Sequence, residues 1–150
     1  MKVFYLCRTG HHTSIIAAAL HLGMISLESG DNKLYDLKGF DDIEFKDIGK
    51  PFFVGTDSFN TEIYTVGVWN DSQIMSRAIN DLVSLIGLRR GEWQVIDVSP
   101  AVSRLTVAGL NLKKFRLKPL AKALVSLGAR REIKRLTAYL VDYQETILYH

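Results

Sequence analysis

Apolar and polar positions divide the first half of the chain into short segments with different periods. Residues 2–7 form a nearly continuous apolar run, which is typical of a strand covered on both faces of a sheet. Residues 15–22 are apolar almost all round and predict a buried helix. Residues 33–37 predict a further, weaker strand. Two β-rich runs, Phe52–Gly55 and Glu62–Val68, flank a segment of turn composition and therefore predict a hairpin.

The middle of the chain continues with a helix and then a strand. Residues 70–88 have helical periodicity, with Asn70 as the expected N-cap. The apolar positions expected to face the core are Ile74, Ala78, Leu82, Leu85 and Ile86. Residues 92–98 predict a strand, and Ser99 followed by Pro100 is a common way to begin a helix.

The last third is predicted to be helical. A short helix from Ala101 is expected to end near Gly109, and a second one, opened by Pro119, is expected to end at Gly128, because glycine commonly terminates helices. The segment 131–150 has an amphipathic pattern, which favours docking onto the rest of the domain over binding to a membrane.

These elements predict an α/β fold with three layers. The expected sheet is mostly parallel with an antiparallel hairpin, and the basic helical segment 101–150 packs on it. A length of 150 residues favours a single domain. Ligands bind such sheets outside the carboxyl ends of the strands. The segments Cys7–Ser14 and Asp97–Pro100 both follow predicted strands, so we expect them to lie side by side at that edge.

Charge is unevenly distributed along the chain. Residues 101–150 contain ten Lys and Arg against three Asp and Glu, a net charge of +7, whereas residues 1–100 contain nine against thirteen, a net charge of −4. The basic segment indicates either an anionic partner or a solvated helix face balanced by the acidic body. Nucleic acid is an open but not favoured partner, since no recognised motif accompanies the charge.

The composition and the lengths of the apolar runs indicate in which compartment of the cell the protein is found. Hydrophobic residues at 47% and charged residues at 23% are typical of soluble globular proteins. No apolar stretch approaches the roughly 20 residues of a membrane helix, and Arg8 interrupts the first apolar run too early for a signal peptide. A single cysteine allows no intrachain disulfide. We therefore expect a cytoplasmic protein without a membrane partner.

The loop after the first strand carries the candidate binding chemistry. A helix N-terminus has free N–H groups and the positive end of the helix dipole, which favour an anion. Gly10 permits a tight turn close to a ligand. Arg8 and His11 can supply charge, and Thr13 and Ser14 can donate hydroxyl hydrogen bonds. We therefore expect these five residues to bind an anionic ligand.

Cys7 is the candidate nucleophile of this loop. The field of a helix N-terminus favours a thiolate, which can attack phosphorus while loop N–H groups hold the phosphoryl oxygens. His12 is the candidate base, and Asp97 is the candidate acid if the sheet brings it beside Cys7. Two alternatives stay open, namely Cys7 as an inert buried residue and Asp97 as a helix cap.

Neither a metal nor a cofactor is predicted. The cysteine and three histidines between positions 7 and 21 include zinc-ligand types but match no established ligand spacing. The phosphate loop of ATP-binding proteins needs Gly-Lys before its hydroxyl residue, and neither Thr13 nor Ser14 has this pair before it.

The loop resembles a known phosphate site. The pattern Cys7-x-x-Gly10-x-x-Thr13-Ser14, between a strand and a helix, is similar to the phosphocysteine loop of the IIB components of the bacterial phosphotransferase system. The resemblance implies a cysteine that carries a phosphoryl group. The loop of low-molecular-weight phosphatases needs an arginine six positions after the cysteine, where Thr13 stands, so phosphatase activity is not carried over.

A second resemblance extends along most of the chain. It rests on the loop at Cys7 and on four later segments, AAALHLG at 17–23, FVGTD at 53–57, YTVG at 64–67 and DVSP at 97–100. Together they are similar to an uncharacterised bacterial family, a domain of unknown function seen mainly in spore-forming Firmicutes. This resemblance implies a bacterial cytoplasmic protein and assigns no activity.

Two functions therefore follow from the sequence. The first is binding of a phosphate-bearing or other anionic ligand at loop 7–14, with thiol-based phosphoryl chemistry at Cys7 as its catalytic form. The alternative is a non-catalytic interaction module whose basic C-terminal helices bind nucleic acid or a protein. The sequence leaves open whether any reaction is catalysed, which ligand is bound and which oligomer forms.

Overall fold

The computed structural model describes residues 1–29, 31–41, 47–87, 89, 91–115 and 117–148, except for the side chains at 31, 32, 114 and 141–148. In chain order the elements are β1 (Lys2–Cys7), α1 (Thr13–His21), α2 (Asp31–Tyr35), β2 (Pro51–Thr56), β3 (Glu62–Gly67), α3 (Ser72–Leu85), β4 (Trp93–Asp97), a 3₁₀ turn (Ser99–Ala101), α4 (Arg104–Lys114) and α5 (Lys118–Leu148). No helix within these residues is both long and apolar enough to cross a membrane.

One mixed sheet of four strands organises the fold. Its order is β2-β3-β1-β4, with β1 parallel to both neighbours and β2 antiparallel to β3. In this register Cys7 lies beside Gly67, and Leu6 lies beside Asp97. The predicted α/β class, with parallel strands and an antiparallel hairpin, is confirmed.

Helices cover both faces of the sheet. The side chains of Val3, Tyr5 and Cys7 alternate onto one face, where they pack in a core with residues of α1 and α5. Leu6 and Val66 point to the other face and pack with residues of α3. Because β1 is buried on both sides, its sequence is apolar at nearly every position.

The predicted hairpin is confirmed as β2 and β3. Its turn is closed by the carboxylate of Asp57, which accepts hydrogen bonds from the backbone N–H groups of Phe59 and Thr61, both at 2.8 Å. His21 at the end of α1 bridges the turn to the sheet, with Nδ1 at 2.8 Å from the Tyr5 hydroxyl and Nε2 at 3.3 Å from Asp57. His21 therefore has structural partners.

Two helix ends predicted from glycine are wrong. Gly109 lies inside α4, and Gly128 lies inside α5, which continues as one helix to Leu148. A Cβ at Gly109 would lie 2.8 Å from the carbonyl oxygen of Ala121, and one at Gly128 would lie 2.6 Å from the backbone nitrogen of Thr106. The glycines therefore allow close packing of two helix backbones and do not end either helix. Residues 149 and 150 of the predicted last helix lie outside the described residues.

The face of α3 was also predicted incorrectly. Ile74, Leu82 and Leu85 are 66%, 59% and 84% exposed, although the pattern assigned them to the core. Met75 and Ile79 pack instead against the second face of the sheet. The helix carries two neighbouring apolar stripes, and only its position over the sheet decides which one is buried.

The weak strand predicted at residues 33–37 is wrong, because residues 31–35 form the short helix α2. Leu34 is fully buried and packs in the core with α1 and α5. A single buried apolar residue in a short polar segment fits a helix turn as well as a strand, so the local pattern does not separate them.

Candidate functional site

The loop between β1 and α1 is closed by two glycines. Gly10 has φ +77°, a region that favours glycine. A Cβ at Gly10 would lie 2.5 Å from the nitrogen of Gly67, and one at Gly67 would lie 2.7 Å from the carbonyl oxygen of Thr9. The loop therefore lies directly on the end of β3, and both positions require a residue without a side chain.

Cys7 lies at the base of this loop and is 2% exposed. Its sulfur accepts the backbone N–H of Gly10 at 3.2 Å. The hydroxyl oxygens of Ser14 and Thr9 lie 3.1 and 3.9 Å from the sulfur. One N–H and two hydroxyls therefore lie around the sulfur as possible hydrogen-bond partners.

The first turn of α1 points its N-terminus at the loop. The N-cap residue is His12, and its side chain does not cap the helix. Thr13 and Ser14 belong to the helix, and their side chains turn towards Glu132 and Cys7. The first-turn N–H groups of α1 therefore keep the positive partial charge that favours an anion.

His12 links the loop to a distant acidic residue. It is 2% exposed, its Nδ1 lies 3.1 Å from the Thr9 hydroxyl, and its Nε2 lies 2.8 Å from the Asp41 carboxylate. Lys113 of α4 pairs with the other oxygen of that carboxylate. Burial alone would raise the pKa of Asp41, but hydrogen bonds from His12 and Lys113 outweigh it and lower the pKa.

His11 does not share the position of His12. Its Nδ1 lies 3.1 Å from the carbonyl oxygen of Gly39, and its ring packs against Phe52 at 5.9 Å between centroids. Its backbone carbonyl accepts the N–H of Asp41 at 2.9 Å. His11 therefore anchors the segment that carries Asp41, and it is not among the residues that line the cleft described below.

A second carboxylate, Glu132 of α5, supports the loop from the core and is fully buried. Its Oε2 accepts the Thr13 hydroxyl at 2.8 Å, and its Oε1 accepts the Ser103 N–H at 2.8 Å and the Thr106 hydroxyl at 2.5 Å. Burial raises the pKa of Glu132, and these hydrogen bonds only oppose the increase. The carboxylate thus joins the starts of α1 and α4 to α5.

Arg8 and Trp69 form the outer side of the site. The guanidinium carbon of Arg8 lies 4.5 Å from the centroid of the Trp69 ring, a cation–π contact. Trp69 has φ +54°, which is unusual for a bulky residue, and its N–H donates to the Arg8 carbonyl at 2.9 Å. The end of β3 and the loop therefore hold this ring in a fixed place.

These elements enclose a cleft of about 350 Å³ between loop 7–14 and α4. Its lining residues are Cys7, Arg8, Thr9, His12, Thr13, Trp69, Val102, Thr106, Val107, Leu110, Asn111 and Lys113. The cleft lies at the carboxyl ends of β1 and β3, where α/β sheets bind ligands.

A larger depression of about 510 Å³ lies on the other face of the sheet, between α3 and β4. Its lining includes Asn80, Asp81 and Ser84, but none of the residues of loop 7–14. We therefore assign the candidate site to the smaller cleft, where the loop, the helix N-terminus and two cations meet.

Asp97 is not brought to this cleft. It lies beside Leu6 in the register, and strand alternation directs its side chain to the face covered by α3, whereas Cys7 faces α1. Its Oδ1 accepts the Ser99 N–H at 2.9 Å and thereby shapes the start of the 3₁₀ turn. The two loops are neighbours at the sheet edge, but the side chains of Cys7 and Asp97 point to opposite faces.

Comparison with protein families identifies the chain. The model of DUF3189, described as a protein of unknown function, matches residues 2–145. The chain belongs to this family. No curated protein and no solved structure matches it. The comparisons do not show a relation to the IIB components of the phosphotransferase system, so that resemblance stays limited to the loop.

Four residues of the candidate site were missed by sequence reasoning: Asp41, Trp69, Lys113 and Glu132. Asp41 and Glu132 reach the loop from 29 and 119 residues away in the chain. A local pattern carries no signal for such pairs. Lys113 and Glu132 belong to the basic segment 101–150, for which the sequence indicates either an anionic partner or a solvated helix face, and not a part in loop 7–14.

The cleft is lined by positive groups and one thiol. Within the part of the chain that the structure describes, no three His, Cys, Asp or Glu side chains form a group able to hold a metal ion. The cleft instead combines a helix N-terminus with Arg8 and Lys113, and it places one thiol beside them.

Proposed function

We propose that this DUF3189 protein binds a small phosphate-bearing or other anionic ligand in the cleft above loop 7–14. The observation that carries the proposal is the convergence of positive groups on one enclosed space. The uncapped first turn of α1 contributes N–H groups, Arg8 and Lys113 line the cleft from two sides, and Gly10 lets the loop backbone approach.

Cys7 is the nucleophile in the catalytic form of this proposal. Its sulfur, the Thr9 hydroxyl and His12 follow one another at 3.9 and 3.1 Å, and Asp41 holds the far side of the imidazole at 2.8 Å. This chain provides a route for the thiol proton to His12 through Thr9. Asp41 favours the imidazolium that forms.

The proposed reaction transfers a phosphoryl group to the sulfur of Cys7. The Cys7 thiolate attacks phosphorus and forms a sulfur–phosphorus bond, while the bond from phosphorus to the leaving oxygen breaks. His12 keeps the thiol proton, and the leaving oxygen, on the side of phosphorus opposite the sulfur, takes a proton from solvent and departs as an alcohol. The helix N-terminus and Arg8 stabilise the charge on the phosphoryl oxygens. The product on the protein is a phosphocysteine at Cys7.

Alkylation of Cys7 by iodoacetamide tests the binding proposal. Cys7 is the only cysteine, so incorporated label measured by mass spectrometry reports on this site alone. We expect inorganic phosphate to slow labelling of the folded protein, because an anion in the cleft covers the sulfur. Phosphate should have no effect after denaturation in guanidinium, which is the first control.

A pair of arginine variants provides the second control. Arg8→Gln should weaken protection by phosphate, whereas Arg77→Gln, an exposed residue of α3 on the opposite face, should leave it unchanged. Equal labelling with and without phosphate, together with no heat of phosphate binding in calorimetry, would contradict the proposal. Protection lost equally in both variants would indicate a general effect of charge.

Thr9→Val tests the proton route separately from binding. It removes the hydroxyl between Cys7 and His12 but keeps the shape of the side chain. We expect slower alkylation at neutral pH with phosphate protection retained. An unchanged pH profile of alkylation would contradict the route through Thr9 while leaving anion binding intact.

We infer that the protein acts in the cytoplasm of a bacterium. The inference rests on the resemblance to a bacterial family, and on a single cysteine that is free. A free thiol is kept reduced by default in the cytoplasm. Cell fractionation followed by immunodetection tests this assignment.

The alternative function, binding of nucleic acid or a protein partner through the basic helices, is supported by the exposed Lys and Arg side chains of α5. Lys118, Lys122, Arg131, Lys134 and Arg135 are exposed. Val125, Ile133 and Leu136 of the same helix are buried in the core, so truncation would unfold the protein. The double variant Arg131→Glu, Lys134→Glu is the better test, since it should abolish salt-dependent DNA binding under this alternative.

A further inference from the structure

The hydroxyls inside the cleft are already engaged within the protein. Thr13 and Thr106 donate to Glu132 at 2.8 and 2.5 Å. Thr9 lies 3.1 Å from a ring nitrogen of His12, whose other ring nitrogen faces a carboxylate. The hydroxyls of Thr13 and Thr106 can therefore accept from a ligand but have no proton left to donate, which limits the pairing open to a ligand rich in hydroxyls, such as a sugar phosphate.

The wall opposite the loop is apolar. Val102, just before α4, and Val107 and Leu110 of α4 line the cleft, and all three are half-buried. Asn111 is the polar residue that α4 adds beside Lys113. Burial of apolar surface stabilises a ligand whose apolar part lies against this wall, whereas hydroxyl groups on that part of the ligand would add little to its affinity.

Trp69 adds a fixed aromatic surface to the same cleft. The residue is 39% exposed, and its ring lies 4.5 Å from the Arg8 guanidinium. Its positive φ costs free energy that an ordinary loop residue would avoid, and backbone strain of this kind is common at ligand sites. The ring, Arg8 and the apolar side chains of α4 thus line one cleft.

We propose that the ligand is an aromatic organic phosphate, with its ring against Trp69 and the α4 wall and its phosphate at the first turn of α1. This inference rests on the proposed function and specifies its ligand class. The volume of about 350 Å³ is at the small end of the range for small-molecule sites and suits one ring system with its phosphate. The same features disfavour a sugar phosphate.

Calorimetric titration with four probes tests the inference: inorganic phosphate, phenyl phosphate, glucose 6-phosphate and phenol. We expect phenyl phosphate to bind at least about tenfold more tightly than inorganic phosphate or glucose 6-phosphate, because only it gains from both parts of the cleft. Phenol should bind more weakly than phenyl phosphate, because it lacks the phosphate.

Val107→Asn should reduce the preference for phenyl phosphate over inorganic phosphate by about fivefold, since it places an amide in the apolar wall. Leu127→Asn is the matched control, because Leu127 is a half-exposed residue of α5 outside the cleft. That variant should keep the wild-type preference. Urea unfolding of both variants verifies that each is folded at the titration temperature.

The outcomes separate this inference from the proposed function. Equal affinity for the three phosphates, or tightest binding of glucose 6-phosphate, would overturn the aromatic ligand but keep an anion site. Phenol binding without any phosphate binding would overturn the proposed function and leave an apolar cleft. A preference for phenyl phosphate that survives Val107→Asn unchanged would place the aromatic ring elsewhere and overturn the inference.

Discussion

Two carboxylates support loop 7–14 from different sides, and they differ in the charge of their hydrogen-bond donors. Asp41 accepts from His12 at 2.8 Å and pairs with Lys113 at the rim of the cleft. Glu132 is fully buried in the core, and its three donors are two hydroxyls and one backbone N–H. Both carboxylates are well bonded, yet only Asp41 has groups that can carry positive charge as direct partners.

The difference determines the direction of each pKa. Burial raises the pKa of both side chains. At Asp41 the hydrogen bonds from His12 and Lys113 outweigh burial and the pKa is lowered. At Glu132 the hydrogen bonds from Thr106, Ser103 and Thr13 do not outweigh burial and the pKa is raised. Glu132 is also the more deeply buried of the two, so its hydrogen bonds act against a larger cost of burying the charge.

The largest predicted effect comes from Glu132→Ala. The change removes the acceptor of three buried donors and leaves a cavity between α1, α4 and α5, so we expect a loss of about 4 kcal/mol in the free energy of unfolding. Glu132→Gln is the matched control. Its amide oxygen can replace Oε1, and its amide nitrogen can donate to Thr13, so we expect a loss of about 1 kcal/mol. Urea unfolding at pH 7 measures both.

The raised pKa of Glu132 also predicts a direction with pH. Below the unfolded-state value of 4.5 the residue is protonated in both states. As the pH rises, the unfolded chain releases the proton first, so the stabilising contribution is lost as the pH passes through the folded-state pKa. Wild type should therefore lose stability relative to Glu132→Gln with rising pH. The opposite slope would indicate a carboxylate stabilised in its ionised form.

Asp41→Asn should have a smaller effect with the opposite pH dependence. Loss of the charge that faces His12 and Lys113 should lower the free energy of unfolding by about 2 kcal/mol at neutral pH. The pKa of Asp41 is lowered by folding, so its contribution is present above the unfolded-state value of 3.8 and is lost as the pH falls through the folded-state pKa.

Unfolding of wild type and Asp41→Asn between about pH 7 and pH 3 measures this dependence. The gap between the two proteins should be constant near neutral pH and should narrow in acid. A gap that widens in acid would contradict the assignment of opposite pKa directions to Asp41 and Glu132. Asp47→Asn, at a more exposed aspartate that pairs only with a lysine on its own turn in the described structure, is the control and should show little gap at any pH.

The two carboxylates also show what sequence reasoning can and cannot predict here. The strand, tight turn and helix around Cys7 follow from residues within about one helix turn of each other, and the pattern of Gly10 and Ser14 singles out this loop as a candidate from the sequence alone. Asp41 and Glu132 are joined to the loop only by the packing of distant segments. Neither has a local signature, so the residues that tune the site could not be predicted.

The helices show the same limit. The periodicity of α3 predicts a helix correctly, but its two neighbouring apolar stripes leave the buried face undetermined until the sheet is in place. Glycine often ends a helix, yet Gly128 lies inside α5, at a point where Thr106 of α4 leaves no room for a Cβ. The local sequence therefore predicts whether a segment is a helix or a strand. The length of the element and the face that it buries depend on contacts with residues far away in the chain.

Lys113→Met gives the smallest effect and separates the two cations that face Asp41. Lys113 has 35% of its side chain exposed, against 3% for His12, so its pair with Asp41 is partly screened by water. We expect a loss of about 0.5 kcal/mol in the free energy of unfolding, which added salt should reduce. The exposed residue Lys134 of α5 supplies the control variant Lys134→Met, which should have no measurable effect.

The size of this loss decides which contact keeps Asp41 ionised. A small, salt-sensitive loss assigns most of the effect to the buried contact with His12. A loss as large as that of Asp41→Asn would show that the contact with Lys113 keeps Asp41 ionised. The lysine would then be committed to Asp41 and less able to meet an anion in the cleft, which would weaken the proposed site at its rim.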